Sequence, residues 1–307
     1  MGKNKNKIVD SAILNSSTFL DYAYRFKKIA VSLYEWENLP SSMDARFIEE
    51  CLYMYGCCAF LYDDNMGFIN TKATSSGYIN IYGLPTSINC NSYGYNEMRE
   101  VYSGLYSENN NKAIFVMNNF DRIPTISTID LFCMRLAEAE RTIDVNVKAQ
   151  KTPVLLITDD RQQLTAINTY NQYQGNAPVI LGEKDLINQN TIKSINTEAP
   201  YVVDKLTDYK KEIWNEALTY LGISNIDVTK KERLTSDEAS RNNEVINLNL
   251  QNGLKMRKLA CKQFNENFKD LLNGKEINVK VNSDINNLIK TYESTVSSLE
   301  SGDVTRG

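Results

Sequence analysis

Two pairs of adjacent carboxylates, Asp63-Asp64 and Asp159-Asp160, are the residues best suited by type to hold a divalent cation for hydrolysis. Metal-assisted hydrolysis needs such groups gathered at strand ends around the reacting atoms. Both pairs read instead as ordinary polar turns. The chain contains no histidine. That removes the usual general base, the commonest zinc ligand and every Ser-His or Cys-His nucleophile pair. The cysteines are Cys51, Cys57, Cys58, Cys90, Cys133 and Cys261, with no CxxC spacing among them. The adjacent Cys57 and Cys58 are poorly spaced for a disulfide or for zinc, so all six read as small buried apolar residues in a reducing compartment. The expectation is no enzyme, no metal and no cofactor.

A different chemistry is suggested by Lys230, Lys231, Glu232 and Arg233, which open a polar loop. Clustered cations on a loop are suited to phosphate oxygens rather than to base edges. The formal net charge is −4 and the pI is near 5.2, so any contact with a polyanion has to come from local patches of this kind. No helix gathers Arg, Asn and Gln on one free face, which argues against reading of base sequence.

The elements that would carry this loop are two long helices flanking a small insert. Thr125 or Ser127 can cap a helix running to about Gln150, with Ile126, Ile129, Phe132, Cys133, Leu136, Ala137, Ile143 and Val147 as its apolar stripe. Pro153 stops it, Val154-Leu155-Leu156-Ile157 reads as a buried strand, and Val179-Ile180-Leu181 as another. A short helix around 164–170, a turn at Gly175-Asn176 and a strand near 192–195 complete the insert. Pro200 starts a second helix that ends at Leu221, with Gly222 as its left-handed cap. Asp204, Lys205, Asp208, Lys210, Lys211 and Glu212 interleave both signs along it, as a solvated face or as the lining of a shared passage.

Before these struts, Ser16 or Ser17 caps a helix that Leu39-Pro40 ends, and a shorter one runs from Ser42 to a stop at Gly56. Met1-Gly2-Lys3-Asn4-Lys5-Asn6 lacks the hydroxyl residue of a myristoylation signal and reads as a short basic arm. Nine tyrosines from Tyr53 to Tyr106, with glycines about every ten residues, suit short strands whose tyrosines pack on a half-buried sheet rather than stack on bases. One more strand covers 112–118. After the loop, Thr235-Ser236-Asp237-Glu238 has capping-box form and opens a long amphipathic stretch, which Gly253 can kink and Asn273-Gly274 halts. Ile277, Val279 and Val281 alternate like a strand, and a last helix from about 284 to 299 has near-heptad spacing. No apolar run approaches the ~20 residues of a membrane span. The fold class is mainly α with smaller β parts, α+β.

Five segments, in order and correctly spaced, resemble the portal protein of small short-tailed phages, the upper collar or head–tail connector of the phi-twenty-nine-like group. They are Leu33-Tyr34-Glu35-Trp36-Glu37-Asn38-Leu39-Pro40, Ala149-Gln150-Lys151-Thr152-Pro153-Val154-Leu155, Tyr170-Asn171-Gln172-Tyr173-Gln174-Gly175-Asn176-Ala177-Pro178-Val179-Ile180, Ala199-Pro200-Tyr201-Val202-Val203-Asp204-Lys205-Leu206 and Lys230-Lys231-Glu232-Arg233. The resemblance is densest over 125–244 and poor over 63–111 and the last ~30 residues.

It implies a portal fold: a wing from 1–124, stem helices at 125–152 and 200–222, and an α/β clip at 153–199. A channel loop at 223–243 and a region of wing helix, strand and tail helix at 244–307 follow. It also implies a ring of twelve copies at one capsid vertex, through which double-stranded DNA is packaged and ejected and to which the tail attaches. The implied partners are the major capsid protein, a lower collar or tail protein, and a packaging ATPase engaged with or without a packaging RNA, with no membrane. The location is the virion, after synthesis in the host cytoplasm. Lys230, Lys231 and Arg233 would meet DNA from the channel loop, and Lys205 from the stem lumen. A second basic stem position of the family is Asn196 here. The rival expectation is a structural capsid or scaffold component without a DNA channel.

Overall fold

Strand and helix signals resolve into an α+β fold in a computed structural model that describes residues 2–103, 112–150, 154–158, 179–183, 200–223 and 236–284. The chain divides into two compact units, one of residues 1–18 and 135–212, the other of 19–134 and 213–307.

The larger unit is built around a five-stranded antiparallel sheet. Its strands are β2 (Cys57–Asp63), β3 (Gly67–Ile79), β4 (Pro85–Ser92), β5 (Tyr95–Glu100) and β6 (Ile114–Met117), in the order β5-β4-β3-β2-β6. Gly83 and Gly94 serve tight turns, as the sequence pattern predicts, whereas Gly77 lies within β3 at a shift of register. Ala59, Leu61, Ala73, Ile88, Cys90, Ala113 and Phe115 form the apolar face of this sheet. The opposite face carries Phe60 and Phe68, which meet Phe264 of helix α5 (Ser236–Asn267) and Phe268 just beyond its end at ring separations of 5.2–5.9 Å. Period-2 alternation on the strands and period-3.6 spacing on the helix are what bring these rings together. Helix α2 (Ala45–Tyr55) is capped by Asp44, whose carboxylate accepts the Phe47 N–H at 3.2 Å, and not from Ser42. Its far end closes at Gly56 with φ 75°, as expected.

Three features depart from the sequence reading. Helix α1 spans Gly2–Val31, not a basic arm followed by a helix from Ser16, because nothing between Lys3 and Val31 is a glycine or proline that would break it. It also ends well before Leu39-Pro40: strand β1 (Tyr34–Glu37) intervenes and pairs antiparallel with β9 (Asn278–Val281), Trp36 opposite Val279. α5 runs unbroken through Gly253. The glycine is needed for clearance, since a Cβ there would collide with the Tyr34 hydroxyl. The tyrosines also divide: Tyr53 and Tyr102 are buried, whereas Tyr78, Tyr82 and Tyr93 stand in solvent.

The smaller unit holds most of helix α3 (Thr125–Ala149), the first half of helix α4 (Val203–Leu221), and strands β7 (Val154–Thr158) and β8 (Val179–Glu183). β7 and β8 pair parallel, which demands a crossover connection instead of a hairpin. α4 begins three residues after Pro200 and ends at Gly222, φ 81°. The expected short helix at 164–170, the strand at 192–195 and the tail helix after 284 lie outside the described residues.

The six thiols are free, and five are fully buried. Burial pushes Cys51 and Cys90 up to about 11 and Cys133 and Cys261 up to about 12. An unfolded thiol ionises near pH 9 while these stay protonated, so their stabilising effect is complete below pH 9 and is lost as pH rises toward 11–12. Each thiol contributes a slope of at most about 1.4 kcal/mol per pH unit. The urea midpoint under reducing conditions is expected to fall clearly between pH 8.5 and pH 10.5. An unchanged midpoint would show that these thiols are hydrated.

Candidate nucleic-acid interface

The second strut brings its charges to solvent in a defined order. Asp204, Lys205, Asp208, Lys211, Glu212 and Glu216 of α4 are exposed, while Ile213, Ala217 and Leu221 are buried. Apolar side chains at four-residue spacing turn one stripe inward and leave the charged face free. In the smaller unit, the end of α3 clamps the start of α4: the Asn146 amide donates to the Pro200 carbonyl at 3.0 Å and accepts the Val202 N–H at 3.3 Å. Lys210 of α4 pairs with Glu140 of α3 at 2.9 Å, and the Arg135 guanidinium lies 6.0 Å from the Tyr209 ring centre. Lys211 lies 3.7 Å from Asp208 on its own helix. Lys205 is exposed and has no ion pair among the described residues. Among the described residues it is therefore the one lysine of this helix without a charged partner.

Exposed acid outnumbers exposed base on that face, four carboxylates to two ammonium groups. A polyanion would be held weakly by such a surface and would move along it. Lys230, Lys231 and Arg233, the other expected contacts, lie outside the described residues, between the Gly222 cap of α4 and the first turn of α5.

Asp63 closes the β2–β3 turn by accepting the N–H groups of Asn65 at 2.9 Å and Met66 at 3.1 Å. Asp159 and Asp160 lie outside the described residues. Among the described residues, no three His, Cys, Asp or Glu side chains are grouped so as to hold a metal ion.

Sequence reasoning missed the polar centre of the larger unit. Arg257 of α5 is buried and grips Glu49 of α2 with two hydrogen bonds, Nε to Oε1 at 2.9 Å and Nη2 to Oε2 at 2.6 Å. Trp36 Nε1 donates to the same carboxylate at 2.9 Å. Arg257 also donates to the Asn118 carbonyl, the Asn118 side chain and the Gly253 carbonyl. Its guanidinium lies 4.1 Å from the centre of the Tyr34 ring, and the Tyr34 hydroxyl donates to the Leu250 carbonyl at 2.9 Å. Burial pushes that hydroxyl up to about 12, with the Arg257 charge opposing the shift. The Asn118 amide donates in turn to the Ile123 carbonyl and Thr125 Oγ1, fixing the entry of α3. A cavity of about 120 Å³ borders the network. Every polar group of Glu49 and Arg257 is engaged within the fold, so the pair locks α2, β1, α5 and the start of α3 together and leaves no group for a substrate. The one trace of it in the sequence is a Glu and an Arg on otherwise apolar helix faces, which cannot be matched across more than two hundred residues without coordinates.

The family model of the Phage Connector (GP10) matches residues 3–286. Among solved structures, a chain from the portal and tail of native bacteriophage P68 is similar over 87% of this chain and 89% of that one, with 14% identity and a TM-score of 0.43.

Proposed function

Since that match spans nearly the whole sequence, the chain belongs to the phage connector family, and from this premise we propose that it forms the head–tail connector of a small short-tailed phage of the phi-twenty-nine-like group. Copies close into a ring of about twelve at one vertex of the capsid, and the ring is part of the virion. Double-stranded DNA enters the head through the ring during packaging and leaves through it during ejection. The major capsid protein holds the ring, a lower collar or tail protein attaches below it, and a packaging ATPase docks there with or without a packaging RNA. α3 and α4 are the stem, the β7–β8 region is the clip, and the wing comprises residues 1–124 with the segment after 244.

The family match is the observation that carries this reading, and the surfaces of the stem helices support it. α3 leaves Leu131, Met134, Val145 and Val147 exposed, apolar side chains that neighbouring copies would cover. On α4, Lys205 is exposed and unpaired among the described residues, on a face with more acid than base. Ring symmetry multiplies each charge, so one lysine per chain becomes a circle of about a dozen against a duplex with one phosphate charge per ~1.7 Å of axis. Few rings of lysine in an otherwise acidic bore give contact without base reading and without trapping. Lys230, Lys231 and Arg233 would supply the firmer grip from the channel loop. The protein performs no catalysis of its own; the packaging ATPase hydrolyses the nucleotide.

Native mass spectrometry of the purified protein tests the assembly. The expected species is a closed oligomer of about 420 kDa, twelve chains of 35.0 kDa. Monomer or dimer alone at micromolar concentration, across a range of salt, would contradict it.

A further inference from the structure

The β3–β4 hairpin ends in a tip that the fold itself does not use. Tyr78, Ile79, Ile81 and Tyr82 are 87%, 70%, 90% and 80% exposed. The turn beneath them is nonetheless tied tightly. Asn80 accepts the Tyr82 and Leu84 N–H groups on its side chain at 2.9 and 3.0 Å, and exchanges backbone hydrogen bonds with Leu84 and Gly83 at 2.8 and 2.9 Å. Thr86 Oγ1 donates to the Tyr78 carbonyl at 2.8 Å. Gly83 supplies the positive φ, 75°, that the turn requires. Four large apolar side chains are thus held out on an ordered support, an arrangement that lowers the entropy lost on docking.

The charge pattern narrows what can receive them. From residue 73 to residue 96 there is no Asp, Glu, Lys or Arg, in a chain that is 23% charged. Electrostatic complementarity therefore calls for a receiving surface that is itself uncharged and apolar. The cavity of the larger unit does not offer one, because it is lined by Glu49, Arg257, Asn118, Asn249 and Asn252. A lipid surface is disfavoured by the same pattern, since interfacial anchors pair their aromatic residues with Lys or Arg. Covering the four side chains removes roughly 500 Å² of surface, less than the ~800 Å² per partner of a stable standard interface. Such a contact is weak alone and effective only when many copies engage one continuous partner.

We propose that this hairpin tip is an anchor that inserts into an uncharged apolar recess on the shell protein surrounding the connector, once per copy of the chain. The proposal rests on the connector reading above.

Co-expression with the major capsid protein, followed by scoring the connector content of purified shells, tests it. The variants are Ile81→Ser with Tyr82→Ser, which removes the apolar tip, and Ile81→Asp, which adds one charge. Both are expected to form rings of the parent's mass with an unchanged melting temperature, while incorporation into shells falls at least tenfold. Parent incorporation is expected to be nearly the same at low and high salt. Variants that incorporate like the parent would overturn the proposal. Variants that no longer form rings would also overturn it, because the tip would then contact a second copy. Flotation of the parent, but not the variants, with phosphatidylcholine vesicles would assign the tip to lipid and overturn it likewise. A parent protein that forms rings yet is absent from shells would overturn the connector reading, and the anchor with it.

Discussion

Arg257→Leu is expected to destabilise the larger unit by about 3–5 kcal/mol, the usual cost of leaving one partner of a buried ion pair uncompensated. Both side chains are 4% exposed or less. Without the guanidinium, the Glu49 carboxylate would keep only the Trp36 N–H, and Asn118 would lose donors on its carbonyl and its side chain. Glu49→Leu is expected to cost a similar amount, because the arginine is then the stranded charge. The double replacement Glu49→Leu with Arg257→Met should recover much of the loss, since apolar groups of similar volume can replace a buried pair at little net cost. Urea denaturation of the three variants measures this. Single variants within about 1 kcal/mol of the parent would show that the pair is hydrated and does not lock the larger unit.

Lys230→Ala with Lys231→Ala is expected to abolish stable retention of a packaged genome while leaving the ring intact. The substitutions fall between the Gly222 cap of α4 and the start of α5 at Ser236, so the stability change should stay within about 0.5 kcal/mol. Packaging should begin, but DNA should leak back and full heads become rare. Losing two phosphate contacts per engaged subunit should also flatten the salt dependence of retention, by a slope of roughly 0.9 per lost contact. A variant that packages and holds a complete genome would remove the loop from the account and leave its lysines as a solvated face.

The elements legible in the sequence are those whose evidence is local. α3 is bounded by Pro124 and Pro153, α4 by Pro200 and Gly222, and their apolar stripes repeat at helical spacing over five or more turns. β7 and β8 announce themselves as short apolar runs beside prolines. What was hidden depends on distant partners. β1 is four residues long and becomes a strand only because β9, more than two hundred residues later, supplies the other half of its ladder. Gly253 signals flexibility in a helix read alone, and only Tyr34 reveals that the position needs clearance. The tyrosines of this region share one composition but have opposite fates: Tyr53 on α2 and Tyr102 after β5 are buried, whereas Tyr78 near the end of β3 and Tyr82 and Tyr93 at turns are exposed, because burial depends on which distant elements cover each position. For the interface, the type and exposure of Lys205 were readable from the mixed-charge helix. That it has no ion pair among the described residues was not, because that depends on Glu140 and Asp208 engaging its neighbours Lys210 and Lys211 instead.

The central claim is that α4 lines a channel through a ring of identical chains, with Lys205 facing the bore. Electron cryomicroscopy of the purified assembly tests it most directly. The account predicts a closed ring with an axial opening wide enough for duplex DNA, α4 of every copy along its wall, and Lys205 directed at the axis. A closed ring with α4 and Lys205 on its outer surface, or an assembly with no axial opening, would contradict it.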